Sequence, residues 1–229
     1  MQELTIEPEG APPVGALWLR PPDARACYIL AHGAGAGMRH AFMQAMADAL
    51  AAQGVATLRY QFPYMERGSR RPDPPALCHA TVRAAVSAAA RLAPGLPLIA
   101  GGKSFGGRMT SQAQAQAALP GISGLAFLGF PLHPAKRPDT SRAAHLREVH
   151  VPMLFLQGTR DALAEMPLLE PLVERLGVHA TLYKIEHADH SFHVPVRSGR
   201  KDEDVRNEMA AVLARWAEGL GGRTAGRES

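Results

Sequence analysis

Residues 96–121 read LPLIAGGKSFGGRMTSQAQAQAALPG, and the fold follows from how this stretch changes character. Its first part, LPLIAGG (96–102), is an unbroken apolar run of strand length, and its last part, GGRMTSQAQAQAALPG (106–121), has helical composition and ends on Pro120-Gly121. Between them stands Gly102-Lys103-Ser104-Phe105-Gly106, a serine with glycine two residues to either side. A strand that passes directly into a helix must turn sharply. Glycines flanking the turn let neighbouring backbone approach without a Cβ clash, while the residue at its tip takes a strained conformation. A serine so placed exposes its hydroxyl at the end of a sheet, with the first N–H groups of the helix beside it.

Working outward, similar apolar runs recur: ALWLR (16–20), CYILAHG (27–33), VATLRYQF (55–62), GLAFLGF (124–130), PMLFLQG (152–158) and TLYKIE (181–186). The central ones are apolar almost throughout, as strands covered on both faces are. Helical segments lie between or beyond them at 38–54, with Gly54 as a C-cap, and at 76–95, 164–177 and 204–220. The last of these puts Val205, Met209, Val212, Leu213 and Trp216 on one side. This alternation predicts an α/β fold with a mostly parallel central sheet and helices on both faces. The connection 133–150 is too short for a separate cap domain. We expect one domain over residues 1–220 and a disordered tail at 221–229, GGRTAGRES.

A serine hydroxyl is a weak nucleophile, so Ser104 needs a base, a carboxylate to orient that base, and donors for the developing oxyanion. His32-Gly33-Ala34-Gly35-Ala36-Gly37 follows the strand CYILA and precedes a helix. Its Ala34 N–H, together with the N–H of Phe105, is the expected oxyanion hole. A dinucleotide-binding turn is the rival reading of this loop. It lacks the third glycine, Met38 standing there, and no acidic residue closes VATLRYQF. Asp161 ends the strand and turn MLFLQGTRD, and His187, His190 and His193 follow the strand TLYKIE. We assign Asp161 as acid and His190 as base. His190 stands after a short turn that can fold back over the sheet edge, whereas His187 is still at the strand end and His193 lies further out. The cluster His187, Asp189, His190 and His193 could also suggest a metal, but there is no HExxH or CxxC pattern, and a serine nucleophile requires neither metal nor cofactor.

The net charge of +4 raises the question of nucleic acid. Arginines are scattered among acidic residues, with no ladder of aromatic and basic residues, so we expect no nucleic-acid partner. The N-terminal MQELTIEPEG lacks the pattern of a signal peptide and no apolar run is long enough for a membrane span, so we expect a cytoplasmic protein without a membrane partner. Cys27, in a strand, and Cys78, in a helix, read as free reduced thiols. Around the serine, His32, Lys103, Arg108 and His133 are candidate substrate-binding residues. With Arg70 and Arg71 they could favour a carboxylate-bearing ester, or be ordinary solvated charges.

The string LAHGAGAGM, LRYQFPYM, GGKSFGGRM, LGFPLHP, HL, LQGTRD and ADHSF, spread over residues 30–192, resembles the small lidless α/β hydrolases of dienelactone-hydrolase-like type. Within them it is most similar to a bacterial branch related to a subunit of a eukaryotic chromatin acetyltransferase complex. The resemblance implies the same assignments: Ser104, Asp161 and His190, with the His32-Gly33-Ala34 loop as oxyanion hole. True dienelactone hydrolases carry a cysteine nucleophile, so the serine here separates this chain from their substrate. Two functions are thus expected as alternatives, a serine hydrolase of a small ester, thioester or lactone, and a non-catalytic interaction protein on the same scaffold.

Overall fold

In the computed structural model, which describes residues 1–224, each of the seven apolar runs forms a strand and an eighth precedes them. In chain order the strands are β1 (Gln2–Ile6), β2 (Val14–Leu19), β3 (Ala26–Ala31), β4 (Val55–Tyr60), β5 (Leu98–Lys103), β6 (Ile122–Leu128), β7 (Met153–Gly158) and β8 (Ala180–Ile185). They form one sheet in the order β1-β2-β4-β3-β5-β6-β7-β8. β1 and β2 pair antiparallel, as do β2 and β4, and every pairing from β4 to β8 is parallel. β1 is an edge strand of which Ile6 alone is buried, so its residues give no apolar run to read.

The helices are α1 (Ala41–Ala51), α2 (Pro63–Glu66), α3 (Pro75–Leu92), α4 (Phe105–Gln116), α5 (Met166–Leu176) and α6 (Asp202–Thr224). Gly54 takes a φ of +71° just beyond α1, where its N–H returns to the Ala51 carbonyl. The pleat sorts the parallel strands between two apolar layers. In β3, Cys27, Ile29 and Ala31 join the layer under α3, α4 and α5, while Ala26, Tyr28 and Leu30 join the layer under α1 and α6. Val205, Met209, Val212 and Leu213 of α6 are buried in that second layer, and Trp216 packs against it half-buried. α6 continues to Thr224, so the expected tail begins as helix, and residues 225–229 lie outside the described residues.

The strand order matters for the site. β3 has β4 on one side and β5 on the other, so the chain winds in opposite directions from the β3–β5 pair, and the loops leaving these two strands separate at their C-terminal ends. His32 opens one of those loops and Ser104 the other. Among the described residues, the connections above this edge hold only short elements, α2 and 3-10 segments at Ser141–Glu148 and Val196–Ser198, and no cap domain. Cys27 and Cys78 are free and buried, and burial pushes each thiol up to about 12, which leaves them unreactive.

Candidate active site

Ser104 sits between β5 and α4 with φ +50° and ψ −113°. A non-glycine residue in this region carries about 1–3 kcal/mol of strain, which its surroundings must hold. The Ser104 N–H donates to the Leu128 carbonyl at 3.1 Å, and the Ser104 carbonyl accepts from the Arg108 N–H at 3.1 Å. The two flanking glycines answer to close packing against the end of β3. A Cβ on Gly102 would lie 2.2 Å from the Ala31 carbonyl oxygen, and one on Gly106 would lie 2.6 Å from the His32 carbonyl oxygen. Backbone at that distance leaves no room for any side chain.

The same packing sets the loop after β3 against the serine, since a Cβ on Gly33 would come 3.9 Å from the Ser104 Cβ. Ala34, Ser104 and Phe105 line one cleft of about 450 Å³. Among the described residues neither the Ala34 nor the Phe105 N–H has a protein acceptor. Two free N–H groups beside a serine hydroxyl are what an oxyanion requires.

His190 is carried by the loop after β8. Asp189 shapes that loop, its Oδ1 accepting from the N–H groups of Ser191 (2.8 Å) and His193 (3.0 Å). The result is a continuous relay. The Ser104 hydroxyl donates to His190 Nε2 at 2.8 Å, and His190 Nδ1–H donates to Asp161 Oδ2 at 2.7 Å. The Asp161 carboxylate is fully buried, while the imidazole is 25% exposed and so open to a reactant. The other two histidines stand apart: His187 is exposed, and His193 faces Asp202 at 3.0 Å with 64% of its side chain exposed. Among the described residues no group of three or more histidine, cysteine or acidic side chains is arranged to hold a metal.

Of the four residues expected to bind substrate, the structure brings only Arg108 into the cleft. His32 is fully buried, its Nδ1–H donating to the Gly33 carbonyl at 2.8 Å and its Nε2 accepting from the Phe62 N–H at 3.0 Å. Burial lowers its pKa to about 4. It is therefore a neutral brace under the oxyanion loop. His133 is likewise buried, between the Pro134 carbonyl (2.8 Å) and Glu165 (2.7 Å). Lys103 points away from the cleft and donates to the His190 carbonyl, with its ammonium 5.1 Å from the centre of the Phe192 ring. In each case the pleat or the loop turns the side chain inward, which a spacing argument cannot see.

Residues 24–218 match the family described as "Alpha/beta hydrolase domain". The chain belongs to the α/β hydrolase family. Solved structures with this α/β hydrolase fold include an alpha-beta serine hydrolase homologue from Coxiella burnetii, 17% identical with a TM-score of 0.73, covering 93% of this chain and 96% of that one. A serine hydrolase without a lid from Xanthomonas campestris is 22% identical, with a TM-score of 0.72 and 94% of each chain covered. A dienelactone hydrolase from Anabaena variabilis is 21% identical, with a TM-score of 0.72, covering 94% of this chain and 96% of that one. At these identities the likeness is one of fold.

Two residues at the site of this α/β hydrolase domain were not anticipated. Gln157, buried in β7, donates through Nε2 to Asp161 Oδ2 at 2.6 Å and accepts the Phe130 N–H at 2.8 Å. With the Leu163 N–H on Oδ1 at 2.8 Å, it fixes the carboxylate that faces His190. Its signal in the sequence is a lone amide within the apolar run MLFLQG. Arg142 also lines the cleft, and nothing in its polar surroundings in the sequence marks it.

Proposed function

We propose that this chain is a serine hydrolase that cleaves a small carboxylic ester, with thioesters and lactones as chemically related substrates, through an acyl-enzyme on Ser104. The observation that carries this reading is the Ser104–His190–Asp161 relay beside two free N–H groups. Ser104 Oγ attacks the carbonyl carbon while its proton passes to His190 Nε2, a transfer worth about 10²–10⁴ in rate. The oxyanion accepts from Ala34 and Phe105, each such donor contributing about 10²–10³. Collapse of the tetrahedral intermediate breaks the bond to the leaving alcohol, which takes the proton from His190. Water then repeats the sequence, giving the carboxylic acid and restoring Ser104. Asp161 remains ionised throughout, holding Nδ1–H of the imidazole so that Nε2 faces the serine.

The finer placement, in the lidless branch related to a chromatin acetyltransferase complex subunit, rests on the motif string at 30–192 and is part of the same proposal. So are a small-molecule ester as the partner, rather than nucleic acid or a membrane, and a cytoplasmic setting. The test is hydrolysis of p-nitrophenyl butyrate by the wild type and by Ser104→Ala. We expect turnover in the wild type and its loss in the variant, with an unchanged circular dichroism spectrum. Turnover that survives Ser104→Ala overturns the assignment, and a folded wild type without turnover favours a non-catalytic interaction protein.

A further inference from the structure

The wall of the cleft beside Ser104 is mostly apolar, with Phe105, Met109, Pro131 and Leu163 in it, but Arg108 and Arg142 also line it. Arg108 stands one helical turn along α4 from Ser104, with its guanidinium carbon 5.7 Å from the centre of the Phe105 ring. Its Nε is buried without a hydrogen-bond partner. Among the described residues neither arginine has a carboxylate within salt-bridge distance. Burial, and then the field of Arg142, hold Arg108 below its ordinary range. A half-buried cation with an idle donor and a like charge nearby is an unfavourable arrangement, and an anion placed between the two relieves both costs.

Arg142 is held in place by its segment. The 3-10 stretch Ser141–Glu148 is tied to α4 where His145 Nε2–H donates to Ser111 Oγ at 2.7 Å, the Ser111 hydroxyl itself donating to the Arg108 carbonyl at 3.0 Å. Burial and the charge of Arg108 lower the His145 pKa to about 4, so this tether stays neutral. Asp73 also lines the cleft, its Oδ1 paired with Arg67 and its Oδ2 buried without a partner. With that one carboxylate neutralised by its pair with Arg67, Arg108 and Arg142 leave the wall with a net positive charge.

Resting on the hydrolase reading above, we propose that Arg108 and Arg142 form a carboxylate subsite, so that the substrates are esters whose acyl part carries a second carboxylate. The acyl part is the one specified because the cleft is lined by Ser104 and both oxyanion donors but not by His190, beside which the leaving group must lie to receive its proton. Guanidinium groups suit this ligand because their planar fork matches the two carboxylate oxygens. One turn of helix separates Ser104 from Arg108, about 6 Å along the axis, which a dicarboxylic acyl chain of adipate length spans.

The test compares p-nitrophenyl hydrogen adipate with p-nitrophenyl hexanoate, which differ by the terminal carboxylate. In the wild type, kcat/KM for the adipate should exceed that for the hexanoate by about tenfold or more, the range expected of a hydrogen-bonded charge. That ratio should fall as salt is added, and fall toward unity in Arg108→Gln and Arg142→Gln, with Arg142→Lys retaining part of it. Arg142 is on a surface segment, so its variants remain informative if Arg108→Gln does not fold. Binding of adipamic acid, the uncleaved amide counterpart, measured by calorimetry, separates the two layers of inference. Hexanoate cleavage without adipate preference overturns the subsite and leaves the hydrolase. Adipamic acid binding that weakens about tenfold in Arg142→Gln, with neither ester cleaved, keeps the subsite and overturns the hydrolase. No cleavage and no binding overturns both.

Discussion

The Lys103 ammonium donates to the backbone carbonyl of His190, so the residue directly before Ser104 holds the histidine that faces it. The ammonium also lies against the stacked rings of Phe42 and Phe192, at 6.0 and 5.1 Å from their centres. Burial is the main cause that lowers the Lys103 pKa from 10.5 to about 8, opposed by Asp161 and Asp189.

Losing the Lys103 proton weakens a charge-assisted bond to His190. We expect kcat to decline on the alkaline side with a midpoint near pH 8 in the wild type, and Lys103→Met to have lower kcat and no such limb. Stability moves the other way. The native Lys103 sheds its proton at about 8 and the unfolded one at 10.5, so the unfolded chain binds more protons in between and the wild type gains stability relative to Lys103→Met as pH rises through that window. Chemical denaturation of both proteins across the window, alongside kcat against pH, checks the pair of trends. Parallel pH profiles would show that Lys103 is only a packing residue.

Asp161 is fixed by Gln157 Nε2, the Leu163 N–H and His190. An amide in its place presents N–H to His190 Nδ1 and favours the tautomer that cannot accept from the serine. Asp161→Asn should therefore reduce kcat by about 10³–10⁴ with little change in KM. Gln157→Leu leaves the carboxylate one donor short, and we expect a smaller loss, about tenfold. Steady-state kinetics on a p-nitrophenyl ester measures both.

Gly106→Ala places a methyl group 2.6 Å from the His32 carbonyl oxygen and 2.7 Å from the Ala31 Cβ. Neither neighbour can yield without moving β3. The expected cost is about 1–3 kcal/mol of stability, in the range of overpacked cores, read from the midpoint of urea unfolding. A change of less than about 0.5 kcal/mol would mean that the elbow and the loop after β3 are less tightly joined than described.

His32 and His145 are both held near 4, below the ordinary 6.5, mainly by burial. Each stays neutral in the native state while the unfolded chain binds a proton. The stability they hold at neutral pH is thus lost as pH falls from 6.5 toward 4, at up to about 1.4 kcal/mol per pH unit for each group. Denaturation midpoints across that range should decline less steeply in His145→Gln than in the wild type.

The central strands and the elbow are legible because a strand covered on both faces is apolar almost throughout, and because a strand-turn-helix serine needs its glycines. At the edges, β8 has Ile185 as its one buried residue and is legible from the alternation of TLYKIE, whereas β1, with Ile6 as its one buried residue, reads as a polar terminus. Ser104, Asp161 and His190 could be placed by chain order, each following a strand on the same sheet edge. Lys103, His32 and His133 read as substrate-binding groups from their charge or polarity on the loops around the serine, yet all three are spent on internal hydrogen bonds. Side-chain direction in a loop depends on packing, and Arg142 shows the converse, reaching the cleft from a distant polar segment because His145 ties that segment to α4.

Covalent labelling with a fluorophosphonate bears most directly on Ser104 as an activated nucleophile. Intact-mass analysis of the wild type should show a single adduct, peptide mapping should place it on Ser104, and Ser104→Ala and His190→Ala should not react. A folded wild-type protein that stays unlabelled, or an adduct on any other residue, would contradict the assignment.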